Sequence, residues 1–156
     1  MLSSSALKVQ QIIHDLGFDC RVLELPESTR TAPEAAQAAG CSLGQIVKSL
    51  IFKGQSTGKP ILALVSGVNR ADEAKLADLA GEAIMRADPE FVRTVTGFAI
   101  GGVPPVGHVQ VIEIYIDPDL LQYQTIWAAA GTPKAIFEVA PQDLVKMTGG
   151  RVVSLK

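Results

Sequence analysis

Cysteine is almost missing from this chain: Cys20 and Cys41 are the only two in 156 residues. Neither belongs to a C-x-x-C pair, and with His14 and His108 as the only histidines no zinc-ligand spacing exists. That argues against a disulfide framework and a zinc site; the two thiols read as small apolar side chains in a reducing compartment. Charge is scarce too, at 19% of residues with a net charge of −2. Without a strongly basic balance, broad sequence-independent coating of nucleic acid is excluded, although a few local Lys and Arg residues can still grip one end of a nucleic acid. No apolar run approaches the roughly 20 residues that cross a bilayer. The opening Met1-Leu2-Ser3-Ser4-Ser5-Ala6-Leu7-Lys8 lacks the basic-then-apolar order of a secretory signal. The expectation is a cytoplasmic chain with no membrane partner. Familiar catalytic signatures are missing as well: no G-x-S-x-G elbow, no P-loop and no H-E-x-x-H. No paired-carboxylate site stands out, and no metal or cofactor is expected.

What the chain has is apolar content, 47% of residues, in a length that suits one domain over residues 1–156 and buries about two-thirds of its unfolded surface. Val9, Ile12, Ile13 and Leu16 follow helical spacing, so 4–16 reads as an amphipathic helix closed by Gly17. A short strand follows over 21–25. Thr31-Ala32-Pro33-Glu34 spells a capping box for an Ala-rich helix over 32–39 that Gly40 ends, and Ser42-Leu43-Gly44-Gln45 offers a weaker single turn. Runs 46–52 and 61–66 read as a hairpin with Pro60 at the entry of its second strand. Residues 70–80 read as helix, 82–87 as extended, and Asp88-Pro89 opens a short helix over 89–96 that Gly97 ends. The alternation of 109–116 predicts a strand; 124–129 and 134–139 predict another hairpin around Gly131-Thr132-Pro133, and Pro141 starts a last helix. Six or seven strands interleaved irregularly with helices predict an α+β fold with a mixed, curved sheet rather than a doubly wound one.

Between the helix at 89–96 and the strand at 109–116 lies a loop of unusual composition, Gly97-Phe98-Ala99-Ile100-Gly101-Gly102-Val103-Pro104-Pro105-Val106-Gly107-His108. It holds four glycines and two adjacent prolines and no acidic group, where an exposed connection would be polar. Two readings stand: a shaped pocket wall whose Gly-Gly pair presents backbone N–H groups, or a buried turn between core elements. Gly101-Gly102 does not fit the dinucleotide fingerprint, because no strand-to-helix context surrounds it. Lys48 interrupts an apolar strand, on the same face as Ile46, Leu50 and Phe52. It is either a pocket residue or an edge-strand guard against aggregation. His108 is either an acid, base or hydrogen-bond donor, or a partly exposed loop residue, and His14 sits on a polar helix face.

Three segments in register, Thr29-Arg30-Thr31-Ala32-Pro33-Glu34-Ala35-Ala36, Gln45-Ile46-Val47-Lys48-Ser49-Leu50-Ile51-Phe52 and Val65-Ser66-Gly67-Val68-Asn69-Arg70, resemble the YbaK/ProX family, relatives of the editing domain inserted in bacterial prolyl-tRNA synthetases. The loop Gly101-Gly102-Val103-Pro104-Pro105-Val106-Gly107 resembles that family's glycine/proline substrate loop, and Gly131-Thr132-Pro133 its late glycine turn. The resemblance runs from about Thr29 to Leu144 and implies one domain with a mixed, barrel-like sheet flanked by helices. It also implies a free-standing hydrolase that removes a wrongly attached amino acid from tRNA. Under it, Lys48 contacts the substrate's ester region or an adjacent phosphate, while Gly101 and Gly102 supply oxyanion donors or fix the terminal adenosine. Arg30, Thr31, Ser66, Asn69, Val103, Pro104, Pro105, Gly107, His108, Gly131 and Thr132 would border the substrate, with the role of His108 open. The nucleophile is a bound water or the substrate's own side chain. The partners implied are the 3′ CCA end of aminoacyl-tRNA and, as an open addition, an aminoacyl-tRNA synthetase; monomer and homodimer are both compatible. The rival reading is a noncatalytic module that binds a nucleotide, a tRNA end or a synthetase.

Overall fold

The computed structural model describes residues 2–156. Helix α1 (Ser4–Asp15) is capped by Ser3, whose hydroxyl accepts from the Ala6 N–H, and it buries Ala6, Val9 and Ile13. After β1 (Val22–Glu24), α2 (Ala32–Ala39) starts with the full capping box between Thr31 and Glu34 and stops at left-handed Gly40. Such a box contributes on the order of 1 kcal/mol and fixes where the helix begins. A 3₁₀ turn (Leu43–Gln45) leads into β2 (Val47–Gly54) and β3 (Pro60–Ser66), which form the expected antiparallel hairpin. Helix α3 (Glu73–Ala80), β4 (Ile84–Arg86) and α4 (Pro89–Thr96) follow. Then come β5 (Glu113–Ile116), a 3₁₀ segment (Pro118–Gln122), the hairpin β6 (Ile126–Ala129) and β7 (Ala135–Val139), α5 (Pro141–Thr148) and β8 (Arg151–Val152).

The α+β class holds, but the strands divide between two sheets that do not close into a barrel. One has the order β1-β7-β6 and the other β4-β2-β3-β5-β8. A parallel bridge between Ile46 and Trp127 joins them at the start of β2. The larger sheet is covered on both faces. Val47, Ile51, Leu62, Leu64 and Ile116 pack toward Ile126, Ala128 and Phe137 of the smaller sheet. Phe52, Ile61, Ala63, Val65 and Tyr115 pack against Leu76 and Ala80 of α3. Double coverage explains why β3 is apolar at consecutive positions rather than alternating.

Two expected boundaries shift for physical reasons, and one strand appears that was not expected. The strand read over 109–116 shrinks to Glu113–Ile116, because the N–H groups of Val109 and Gln110 turn back to the carbonyls of Thr96 and Val95 at the end of α4. Val111 is left 99% exposed, so the alternation continues past the point where a partner strand exists. Helix α3 begins at Glu73 rather than 70, since the Asp72 carboxylate accepts from the N–H groups of Ala74 and Lys75 and sets the cap. The two-residue β8 carries no sequence signal of its own; it is defined only by its parallel register with Tyr115 and Ile116.

Candidate active site

A cleft of about 250 Å³ opens where β2 diverges from β6 of the smaller sheet, bounded by the loop before α2, the turn at Ile100–Gly101 and the strand β6. Its floor is an unpaired strand edge. Gly67 N–H donates to the Ile46 carbonyl and Gly54 N–H to the Lys59 carbonyl, which points the main-chain groups of even-numbered β2 residues at β3. Those of the odd-numbered residues therefore point the other way. On that side β4 pairs only from Phe52 onward, with Ala87 N–H reaching the Ile51 carbonyl, and the bridge to β6 lies at Ile46. Between the two, Ser49 faces the cleft with its N–H and C=O free of any strand. Its hydroxyl is buried and has no hydrogen-bond partner among the described residues. A buried hydroxyl left unpaired costs on the order of 1–3 kcal/mol, the kind of deficit a ligand can relieve.

Lys48, one residue earlier, lines the cleft and projects from the opposite face of the strand. Its ammonium donates to the main-chain carbonyl of Asn69. Burial pushes its pKa below the ordinary lysine value, with Arg70 and Arg86 adding to that and Asp117 opposing it. Asn69 in turn donates its side-chain amide to Asp117 at 2.8 Å and to Asp119 at 2.7 Å. Ser66 is fully buried, its hydroxyl donating to the Gly44 carbonyl at 2.7 Å and its N–H to Asp117. Ser66 and Asn69 thus stand behind Lys48 rather than on the cleft wall.

The glycine/proline loop splits in two. Gly102 N–H closes a turn onto the Ala99 carbonyl at 3.0 Å, so the amide expected to reach substrate is already used. Gly101 occupies the third position of that turn with φ of +92°, a geometry that favours glycine, and its N–H has no acceptor among the described residues. Gly101 and Val103 line the cleft. Gly102 instead lies against the main chain of Thr132: a Cβ there would sit 2.8 Å from three Thr132 backbone atoms. Its carbonyl accepts from Gly131 N–H at 2.8 Å. The late turn at Gly131 and Thr132 therefore braces the loop from behind and does not line the cleft.

Pro104, Pro105 and Val106 are buried away from the cleft, and a Cβ on Gly107 would meet Ile12 of α1 at 2.5 Å. His108 turns back to the Pro104 carbonyl, Nε2 to O 2.7 Å, and burial lowers its pKa while that carbonyl partly opposes the shift. This half of the loop is the buried turn that composition left as an alternative.

On the opposite rim, the N–H and hydroxyl of Thr29 both donate to the Pro133 carbonyl, at 2.7 and 3.0 Å, and hold the loop before α2 in place. That brings Arg30 across Gly101, whose missing Cβ would stand 2.7 Å from the arginine Cγ. Thr31 also borders the cleft, although its hydroxyl is committed to the α2 cap. Ser49, Thr29 and Trp127 are cleft residues that sequence reasoning did not single out. For Ser49 the signal lay one position from Lys48, but only the pairing of β2 reveals its free edge.

An α+β domain with a small, half-apolar cleft, a lysine on its floor and an open backbone donor on its rim has the form of a site for a compact polar group on an apolar stem. Comparison with known proteins is specific about the class. The family model for the aminoacyl-tRNA editing domain matches residues 26–147. The chain belongs to the aminoacyl-tRNA editing domain family, the grouping that its motifs resemble. Among curated relatives, "Uncharacterized protein YwhH" of Bacillus subtilis is 33% identical, the match covering 84% of this chain and 83% of that one. "Putative Cys-tRNA(Pro)/Cys-tRNA(Cys) deacylase EbsC" of Enterococcus faecalis is 28% identical over 83% of this chain and 79% of that protein. A solved structure titled "Crystal structure of a putative trans-editing enzyme for prolyl tRNA synthetase" superposes with a TM-score of 0.94 at 53% identity, covering 100% of this chain and 99% of that one. The activity that goes with the family is hydrolysis of the ester that links an amino acid to tRNA. No helix among the described residues is long and apolar enough to cross a membrane.

Proposed function

We propose that the cleft along the free edge of β2 is the deacylation site, and that the chain acts in trans on tRNA carrying the wrong amino acid. The observation that carries this reading is the meeting, in one cleft, of Lys48, the unpaired groups of Ser49 and the free N–H of Gly101. In the reaction, water adds to the ester carbonyl carbon, the bond to the ribose oxygen breaks, that oxygen takes up a proton, and the amino acid leaves. Negative charge builds on the former carbonyl oxygen, and a fixed backbone donor such as Gly101 N–H stabilises it without reorganising. The free Ser49 carbonyl suits the substrate's α-ammonium. The Lys48 ammonium suits the ester region or the first phosphate, and Arg30 at the rim suits the phosphate chain of the 3′ end. Ala35, Ala128 and Ile136 give the amino-acid side chain small apolar walls, which separate substrates by shape rather than by charge. The cytoplasm, where tRNA is charged, is the compartment this reading implies, and a synthetase that releases mischarged tRNA is the natural partner.

The test is ester loss from tRNAs charged with Ala, Ser, Cys, Thr and Pro, with mischarged and correctly charged pairs compared. At least one mischarged tRNA should lose its ester 100-fold or more faster than without protein, a gain of about 2.7 kcal/mol. Saturable binding without any acceleration would overturn the catalytic reading in favour of a noncatalytic tRNA-end module.

A further inference from the structure

Behind Lys48 lies a carboxylate that the sequence reading passed over. Asp117 directly follows β5 and caps the 3₁₀ segment after it; it is 1% exposed, one of four buried polar or charged residues among those described. Three N–H donors converge on it. Ser66 N–H reaches Oδ2 at 3.1 Å, the Asn69 side-chain amide reaches Oδ2 at 2.8 Å, and Asp119 N–H reaches Oδ1 at 2.9 Å. A cap needs only the last of these. The other two come from the last residue of β3 and from the turn that follows it, the turn whose Asn69 carbonyl receives the Lys48 ammonium. Asn69 is further pinned by its own N–H to the Ser66 carbonyl at 2.9 Å and by its amide to Asp119, which Lys156 pairs at 2.7 Å. The charges that act on Lys48 are those of exposed Arg70 and Arg86 and of buried Asp117, so Asp117 is the one negative charge against two positive ones.

We infer that Asp117 is a positioning residue for Lys48: it holds Asn69 so that one carbonyl orients the ammonium, and its negative charge opposes those of Arg70 and Arg86 at the lysine. It touches no substrate and acts through Lys48. Building one buried, fully hydrogen-bonded carboxylate into the sheet end orders the lysine without placing an acid in the cleft, where it would repel phosphate. The inference rests on the deacylase reading for its kinetic consequence, but its structural part stands apart from it.

The experiment titrates Lys48 in the intact protein by following its ε-CH₂ resonance with pH, in wild type and Asp117→Asn, alongside single-turnover deacylation. Loss of the Asp117 charge removes the interaction that raises the Lys48 pKa, so the titration should move to lower pH. The deacylation rate at saturation should fall at least about tenfold with KM changed less than about threefold, and any alkaline limb of the rate profile should shift the same way. A loss of stability with Lys48 titrating as in wild type would show a purely structural cap and overturn the inference. If Asp117→Asn does not fold, Asp117→Ser keeps an oxygen for the cap without the charge, and the same comparison decides. A wild-type protein without deacylase activity would sink the function proposed above and leave the titration to judge Asp117 on its own.

Discussion

The two halves of the glycine/proline loop share a composition and do different work. Ala99–Gly102 forms a tight turn whose Gly101 N–H opens on the cleft, whereas Pro104–His108 folds inward, closes on itself through His108 and packs Gly107 against α1. Glycine serves approach at Gly101 and close packing at Gly102 and Gly107, so composition alone could not separate a substrate wall from a buried turn. A boundary of the same kind runs through the Gly-Gly pair: Gly101 faces the cleft, and Gly102 faces the Thr132 main chain.

Substitution at that boundary is the strongest way to break the distinction. Gly102→Val drives a side chain into backbone 2.8 Å away, which cannot rotate aside. Overpacking of this kind costs up to about 3 kcal/mol, so melting should fall by roughly 5–10 °C and activity should fall with it. A stable, inactive Gly102→Val would show instead that this residue faces substrate.

Gly101→Ala should be milder in stability and sharper in function. Its positive φ costs an L-residue roughly 1–2 kcal/mol, but the nearest atom is in the flexible Arg30 side chain, which can yield. Activity per folded molecule should drop about tenfold, as measured by deacylation at fixed folded fraction. Unchanged activity there would remove the Gly101 amide from the site.

Ser49→Ala sharpens the cleft side of the comparison further. Removing a buried, unpartnered hydroxyl should leave the melting temperature equal or slightly higher, while kcat/KM falls about three- to tenfold. A drop in melting temperature without a kinetic effect would place Ser49 in the core rather than the site.

The smallest effect belongs to His108. Its folded pKa lies below that of the unfolded imidazole, about 6.5, so in the window just below 6.5 the unfolded chain binds more protons. Stability contributed by the neutral ring is present above that value and is lost as pH falls through the folded pKa. His108→Gln should flatten this slope, seen in melting temperatures between pH 7.5 and 5, and leave the deacylation rate at pH 7.5 within about twofold. A large rate loss at unchanged stability would return His108 to the catalytic site.

Much of the architecture was legible because local signals and tertiary packing agree. The Thr31–Glu34 capping box, the β2–β3 hairpin and the Asp88-Pro89 helix start all lie where their residue chemistry puts them. Val109 to Ile112 misled because alternation describes side chains, whereas a strand also needs a neighbour, and the end of α4 claims the Val109 and Gln110 amides first. In the site, Lys48 was visible as a charge in an apolar run. Ser49 and Asp117 were not, since a free edge and a convergence of N–H donors arise only from pairing between distant segments. The resemblance would set Ser66 and Asn69 at the border of the pocket, whereas the Ser66 hydroxyl and the Asn69 side-chain amide turn inward, toward Gly44 and Asp117.

The central claim is that the free edge of β2 is where the ester is cleaved, with Lys48 on its floor. The most direct measurement is single-turnover deacylation of the mischarged tRNA that wild type cleaves fastest, run with Lys48→Ala at matched folded fraction. The account predicts a rate at least about tenfold lower, near 1.4 kcal/mol of lost transition-state stabilisation, with a melting temperature close to wild type because the lysine is only half-buried. A wild-type rate, or a loss that merely follows unfolding, would contradict it.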